Sequence, residues 1–386
     1  MAITHRVSPR AIAQTLLREP LSSAQSLVLT AAQVTLPEAA RIQMKTIAEA
    51  MNPEEWAEAV RFADAHGLAS LLWHHLVRED LHPLLPLSIA EHLHQGYHER
   101  LLTQLRLAHT LKLLIAHCRE SGIAVLPFKG VTLGERLYSN LGLRPSVDLD
   151  VLIAPHISQR RAYHALAAQF ATCEARHIRI ELGWDIVRRP PYQSVFPRAA
   201  IWERSQMTTF RGLPCRQLAL ADELRYLCTH CALHSFKRLI WLVDIAELLH
   251  KTQEEGDWSW SHFAQDTING GVAFPVAACL IAAQQWLHAS APDDALAMLA
   301  EAATTPQEQA RWATLQEPHL FVHRGVLALR STASFAERWQ LAHTTFWPDL
   351  AYLYDNADWS PGHSALLARL YRLQRIVRRG LHRHMP

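Results

Sequence analysis

The chain has 386 residues, 49% of them hydrophobic and 19% charged, with a formal net charge of +2. That length suits two to three domains and a sizeable core. The charged fraction lies below the roughly 25% of ordinary globular proteins, which excludes a disordered tail, an acidic solvating protein or a histone-like binder.

Of the 38 basic residues, 33 are Arg and five are Lys (Lys45, Lys112, Lys129, Lys237, Lys251), beside 24 His. The Arg-for-Lys skew reads as the bias of a G/C-rich coding sequence, and it makes each Lys worth locating. No apolar segment of signal-peptide length follows Met1. Six scattered cysteines (Cys118, Cys173, Cys215, Cys228, Cys231, Cys279) argue against a disulfide framework. The expectation is a soluble cytoplasmic protein. Residues 270–291 carry no Asp, Glu, Lys or Arg, but they are Ala-rich and hold Pro275, Gln284, Gln285 and His288. They read as a buried helix rather than a membrane span.

The first hundred residues read as helices. Asn52-Pro53-Glu54-Glu55 is a helix start, with Asn as cap, Pro at the first helical position and Glu reaching back from the third. That helix ends near Gly67. A longer one covers about 99–121, with Leu107, Leu111, Leu114, Ile115 and Cys118 on one face, and Gly122 stands at its C-terminus. Residues 123–126 read as a buried strand ended by Pro127, and 131–138 as a short helix. Ser139 to Gly142 is turn chemistry. Residues 147–153 alternate as a strand, 157–170 as an amphipathic helix, and 178–182 as a second strand. A connection rich in Pro (Pro190, Pro191, Pro197) leads to further helices from about Ala219.

Asp148 and Asp150 are two apart on a strand and so project from one face, while Leu149 and Val151 enter the core. Two carboxylates this close repel. A divalent cation with a preference for hard oxygen ligands, Mg²⁺ or Mn²⁺, removes the conflict. Glu181 is a third, apolar-flanked acid on the next strand, one helix away. Upstream, Lys129-Gly130 ends the preceding strand, and a helix N-terminus just after Gly130 offers N–H groups to a phosphate. A phosphate-facing turn, a carboxylate pair and a third acid suit a two-metal displacement on a nucleoside triphosphate.

These residues carry a resemblance. Leu126-Pro-Phe-Lys129-Gly130, Tyr138, Leu143-Arg144-Pro145 and Asp148-Leu-Asp150-Val-Leu-Ile resemble the LKG…Y…LRP..D[IL]DLLV signature of an uncharacterised bacterial nucleotidyltransferase family, within the superfamily of DNA polymerase beta-like nucleotidyltransferases. Ile180-Glu181-Leu182-Gly183-Trp184 is similar to its vELHW strand. Arg238-Leu-Ile-Trp241-Leu-Val-Asp244-Ile-Ala is similar to its RLRWLVDLA helix. The resemblance is sharp over roughly 100–250.

It implies that Asp148 and Asp150 bind the metal, and that Glu181 ligates the catalytic metal or accepts the incoming proton. It also implies that Lys129, Gly130 and Arg144 face the triphosphate, with Lys237 and Arg238 as further nucleotide-binding candidates. The turn is Lys-Gly where the superfamily has Gly-Ser, and Gly183 stands where the family has His.

Cys228-Thr-His230-Cys231-Ala-Leu-His234 looks superficially like a zinc cluster. On a helix, however, the cysteines share a face with Leu224 and Leu227, and the histidines lie at i, i+4 on another. Core cysteines with polar-face histidines are the preferred reading, and the histidines remain candidates to line the cleft. Asp244, between Val243 and Ile245, reads as a helix-anchoring acid paired to an Arg. The basic segment 369–384 reads as a solvated helix face, and a net charge of +2 leaves no broad nucleic-acid footprint.

The expected architecture is α+β. A nucleotidyltransferase-like mixed-sheet core (100–215) lies between a helical region (1–99) and a helical domain (216–386). The expected reaction is Mg²⁺-dependent transfer of an NMP group from an NTP, ATP the favoured donor, with pyrophosphate release. By the resemblance, the acceptor is a small molecule, sugar or peptide. The rival reading is a non-catalytic nucleotide- or partner-binding module that keeps the fold.

Overall fold

A computed structural model describes residues 7–17, 19–175, 177–187, 192–316 and 364–382, with scattered positions between 335 and 353. Helices α1 (Pro9–Thr15), α2 (Ser23–Thr30), α3 (Glu38–Ala50), α4 (Pro53–His66) and α5 (Ala69–Arg78) precede the long α6 (Leu87–Glu120). Then come β1 (Val125–Phe128), α7 (Gly130–Leu137), β2 (Asp148–Ile153), α8 (Gln159–Ala175) and β3 (Arg179–Gly183). A short helix α9 (Arg198–Arg204) and the strands β4 (Gln206–Phe210) and β5 (Leu213–Gln217) follow. The remaining described elements are helices: α10 (Leu220–Leu233), α11 (Ile240–Glu254), α12 (Trp260–Gly270), α13 (Ala273–Leu287), α14 (Asp293–Ala302), α15 (Pro306–Gln316) and α16 (Ala365–His382).

The fold is α+β, as expected. Two compact units interleave along the chain. A helical unit comprises residues 1–109, 129–147 and 219–320, and a sheet unit comprises 110–128, 148–218 and 321–386.

In the sheet unit, β1 pairs antiparallel with β2, and β2 pairs parallel with β3, giving a mixed sheet of order β1-β2-β3. The parallel pair with α8 between its strands is the predicted β-α-β arrangement. Leu149, Val151 and Ile153 are buried, as are Ala162, Tyr163 and Leu166 of α8. The strand expected to stop before Pro127 runs through it, with Pro127 opposite Val151. Its position on an edge strand makes the missing N–H tolerable. The Trp of the family-like IELGW segment is an anchor: Trp184 Nε1 donates to the Ile157 carbonyl at 2.8 Å.

The β4–β5 hairpin is absent from the sequence reading. Phe210 pairs with Leu213, so Arg211 and Gly212 form a two-residue loop, and both have positive φ (48° and 81°). This is the backbone of a tight hairpin turn whose twist matches the flanking strands. Of the Pro-rich connection, Pro190 and Pro191 lie outside the described residues.

The helical unit bears out the local signals. Asn52 caps α4 by accepting from the N–H groups of Glu54 and Glu55, the Glu55 carboxylate accepts from the Asn52 N–H, and Gly67 closes the helix at φ 74°. In the sheet unit Gly122, after the end of α6, is likewise left-handed at φ 64°. The helix expected from about residue 99 starts earlier, at Leu87. Within 270–291, α13 is buried along nearly its whole length. The Glu308 carboxylate accepts from the Phe274 N–H at 2.9 Å, which satisfies a first-turn donor where no neighbouring side chain caps the helix. No helix among the described residues is long and apolar enough to cross a membrane.

His75 sets an acid limit on this unit. It is fully buried, with Nε2 bonded to the Gln33 carbonyl at 2.7 Å. Burial lowers its pKa to about 4. The unfolded chain therefore takes up a proton near pH 6.5 that the folded chain refuses until about pH 4. Stability contributed by the neutral ring is complete above that window and falls by about 3 kcal/mol on acidification through it. Urea melts at pH 7 and pH 4.5 of wild type and His75→Gln will show this: the wild type loses more stability on acidification than the variant.

Candidate functional site

The predicted site residues divide between the two units. In the sheet unit, alternation puts Asp148 and Asp150 on one face of β2 while their neighbours enter the core. The parallel register sets Glu181 directly opposite Asp150, and Arg179 opposite Asp148. All four residues therefore share one face of the β2–β3 pair. Asp150 is buried at 5% exposure and sits opposite Phe128 of β1. Asp148 and Glu181 are half-buried. Arg179, which the sequence reading left out, pairs its Nη2 with Glu181 Oε1 at 2.8 Å. Its place at i−2 of Glu181 on a strand is the signal that would have found it.

Three carboxylates on one sheet face are the hard-oxygen donor set that Mg²⁺ or Mn²⁺ takes. Asp150 and Glu181 are cross-strand neighbours, and Asp148 follows on the same side. No ready-made cluster of three His, Cys, Asp or Glu metal ligands occurs among the described residues. That holds equally at Cys228, His230, Cys231 and His234, where both cysteines are buried core residues.

In the helical unit, Lys129 precedes α7 with φ 46° and ψ −155°, and Gly130 follows at φ 48°. Two consecutive positive φ values make a sharp turn. Gly130 accommodates this freely, whereas Lys129 is strained. The turn is held by Arg144, which is buried at 5% exposure. Arg144 Nη1 donates to the Gly130 carbonyl at 3.0 Å, while Nε and Nη2 grip the two oxygens of Asp244 at 2.8 and 2.7 Å. Tyr138 donates to Asp244 Oδ1 at 2.8 Å. Burial and the Asp244 charge raise the Tyr138 pKa well above its ordinary value, so it remains a donor. The signature elements Lys-Gly, Tyr138, Leu-Arg-Pro and the Asp244 helix, separate in sequence, thus form one network.

A family model described as uncharacterised nucleotidyltransferase matches residues 52–288, more than half of the chain. The chain belongs to that nucleotidyltransferase family. Searches of curated proteins and of solved structures return no match. The matched span contains all of these site residues, from Lys129 to Asp244.

In this member of the family, Arg144 is committed to Asp244 and Gly130, so it shapes the turn from within. Lys237 is exposed and Arg238 half-buried, the latter packed over Gly67, whose added Cβ would lie 2.7 Å from Arg238 Nη2. Burial, with Arg144 and Arg100 nearby, lowers the Arg238 pKa. The Lys129 strain yields a separable prediction. Lys129→Gly should stabilise the chain by about 1 kcal/mol by relieving the positive φ, while weakening nucleotide binding. Lys129→Ala keeps the strain and loses the charge, so it should weaken binding with no gain in stability. Thermal melts beside nucleotide titrations check both; a Gly variant less stable than the Ala variant would refute the strain.

Proposed function

We propose that the chain is a divalent-metal-dependent nucleotidyltransferase that moves a nucleoside monophosphate from an NTP, with ATP the favoured donor, to a small-molecule, sugar or peptide acceptor. The observation that carries this reading is the register of β2 and β3, which aligns Asp148, Asp150 and Glu181 on one face in a member of this family.

The acceptor oxygen forms a bond to the α-phosphorus, the bond to the bridging oxygen of the β-phosphate breaks, and pyrophosphate leaves with that electron pair. The acceptor's proton goes to a base, and Glu181 serves as that base or as a third ligand. Asp148 and Asp150 hold the cation, which when bound neutralises charge gathering on the phosphates. The Lys129–Gly130 turn, held by Arg144, is assigned to the phosphate chain with Lys237 and Arg238, where first-turn N–H groups and the ammonium favour an anion.

The test is calorimetric binding of each NTP with Mg²⁺, beside pyrophosphate release in the presence of candidate acceptors, for wild type and Asp148→Asn/Asp150→Asn. Metal-dependent NTP binding lost in the double variant is expected. Wild type that binds NTP–Mg²⁺ no better than the double variant overturns the reading. The Arg179–Glu181 pair, with Gly183 in place of the family's His, favours a second reading: a nucleotide- or partner-binding module without turnover. Binding with no release across sugar, peptide and small-molecule acceptors would select it.

A further inference from the structure

The chemistry above leaves most of the 24 histidines without a role. Two of them, His94 and His98, stand four apart on α6 and so are neighbours on one face of successive turns. Their Nε2 atoms meet at 3.0 Å, and their rings lie 4.5 Å apart. Both side chains are exposed, so an ion can reach them from solvent.

Each ring is steadied by an aromatic neighbour. His94 packs edge-on against the buried Trp73 of α5 at 5.7 Å. His98 packs edge-on against Tyr97 at 5.5 Å, and the Tyr97 hydroxyl accepts from Asn140 Nδ2 at 2.7 Å. Rings held by packing have less freedom left to lose when a ligand arrives.

At 3.0 Å one ring donates its N–H to the lone pair of the other. Moving that proton to Nδ1 of the donor ring leaves two nitrogen donors side by side. Imidazole nitrogens bind a metal at about 2.0–2.1 Å. Two such bonds to donors 3.0 Å apart enclose an angle of about 94°. That is close to the right angle between neighbouring positions of a square-planar or tetragonal ion. Tetrahedral zinc needs about 109°, and its donors stand about 3.3 Å apart. Cu²⁺ and Ni²⁺ take the tetragonal geometry with nitrogen ligands, and Cu²⁺ heads the divalent series in affinity.

We propose that His94 and His98 form a two-nitrogen site for a tetragonal divalent transition-metal ion, Cu²⁺ or Ni²⁺, with water in the remaining positions. No third His, Cys, Asp or Glu ligand completes a cluster among the described residues, so affinity rests on the pair. The ion joins two turns of α6 and stabilises the folded chain by mass action. Nitrogen donors select against Mg²⁺, which takes oxygen, so the site is independent of the transferase reading.

The experiment is calorimetric titration of the metal-free, full-length chain with CuCl₂, NiCl₂ and ZnCl₂ in turn, beside electron paramagnetic resonance with one equivalent of Cu²⁺. Wild type is compared with His94→Gln, His98→Gln and His92→Gln. His92 is an exposed control on the same helix, with Nε2 bonded to Asp64 Oδ2 at 2.8 Å. Each of the first two substitutions should weaken Cu²⁺ binding at least about tenfold, the lower end of the cost of losing even a ligand's supporting partner. His92→Gln should leave binding unchanged, and excess MgCl₂ should not displace the ion. The wild-type resonance should carry splitting from two nitrogens, a readout that needs no variant to fold.

Equal Cu²⁺ affinity in wild type, His94→Gln and His98→Gln would mean an adventitious ion only, held elsewhere, and would overturn the site. A resonance with one nitrogen or none would do the same. Zn²⁺ bound more tightly than both Cu²⁺ and Ni²⁺ would overturn the tetragonal assignment.

Discussion

Replacing Asp244 by Ala is expected to destabilise the chain by about 3–5 kcal/mol, read as a lowered urea midpoint. The side chain is wholly buried and accepts from Arg144 twice and from Tyr138 once. Its removal leaves a buried guanidinium without this carboxylate and a buried phenol without this acceptor. Removing one partner of a buried pair costs far more than the pair contributes against a well-packed apolar alternative. The double variant Arg144→Met/Asp244→Leu should accordingly recover most of the stability lost in Asp244→Ala.

Nucleotide binding should not recover with it. The Gly130 carbonyl receives the Arg144 Nη1 hydrogen bond, and methionine cannot supply one. The double variant thus separates folding from site geometry: a near-normal urea midpoint with NTP affinity still reduced. A loss below about 1 kcal/mol for Asp244→Ala would show that the pair contributes little, and full NTP affinity in the stable double variant would remove its role in the turn.

What the sequence disclosed, and what it withheld, follows from the range of each interaction. The α4 capping box spans three residues, and the shared face of Asp148 and Asp150 spans two, so each is written in local spacing. The alignment of Glu181 with Asp150 needs one further step, a crossover helix between parallel strands. The Arg144–Asp244 pair joins positions 100 residues apart, and periodicity carries no information about such a partner. Asp244 was recognisable as an acid requiring an Arg, but not which Arg.

The interleaving of the units was illegible for the same reason. The chain leaves the helical unit after His109, returns at Lys129, leaves again after Val147 and returns at Ala219. The hairpin was missed differently. Arg211-Gly212 lacks the Asn or Asp that usually announces such a turn, although the Gly was there to be read.

The carboxylate face should show opposite effects on stability and activity. Asp148, Asp150 and Glu181 share one side of two adjacent strands, and Arg179 is paired with Glu181. Like charges so placed raise the energy of the metal-free fold. Asp148→Asn removes one of them at a half-buried position and should raise the melting temperature of the metal-free protein, by an amount equivalent to about 0.5–1 kcal/mol. Added Mg²⁺ with NTP should then stabilise wild type as mass action requires, and stabilise Asp148→Asn/Asp150→Asn much less.

Pyrophosphate release should fall about a thousandfold in the double variant, the rate equivalent of losing several kcal/mol of charge stabilisation at the phosphates. Stabilisation without ligand, coupled to lost stabilisation by ligand, is the signature of groups placed to bind a cation. A strand-end pair that merely caps the backbone would behave otherwise: Asp148→Asn would lower the melting temperature, and Mg²⁺ with NTP would shift wild type and variant alike. Melting curves of the two proteins, with and without Mg²⁺–NTP, therefore decide between a metal-binding face and a structural one before any acceptor is identified.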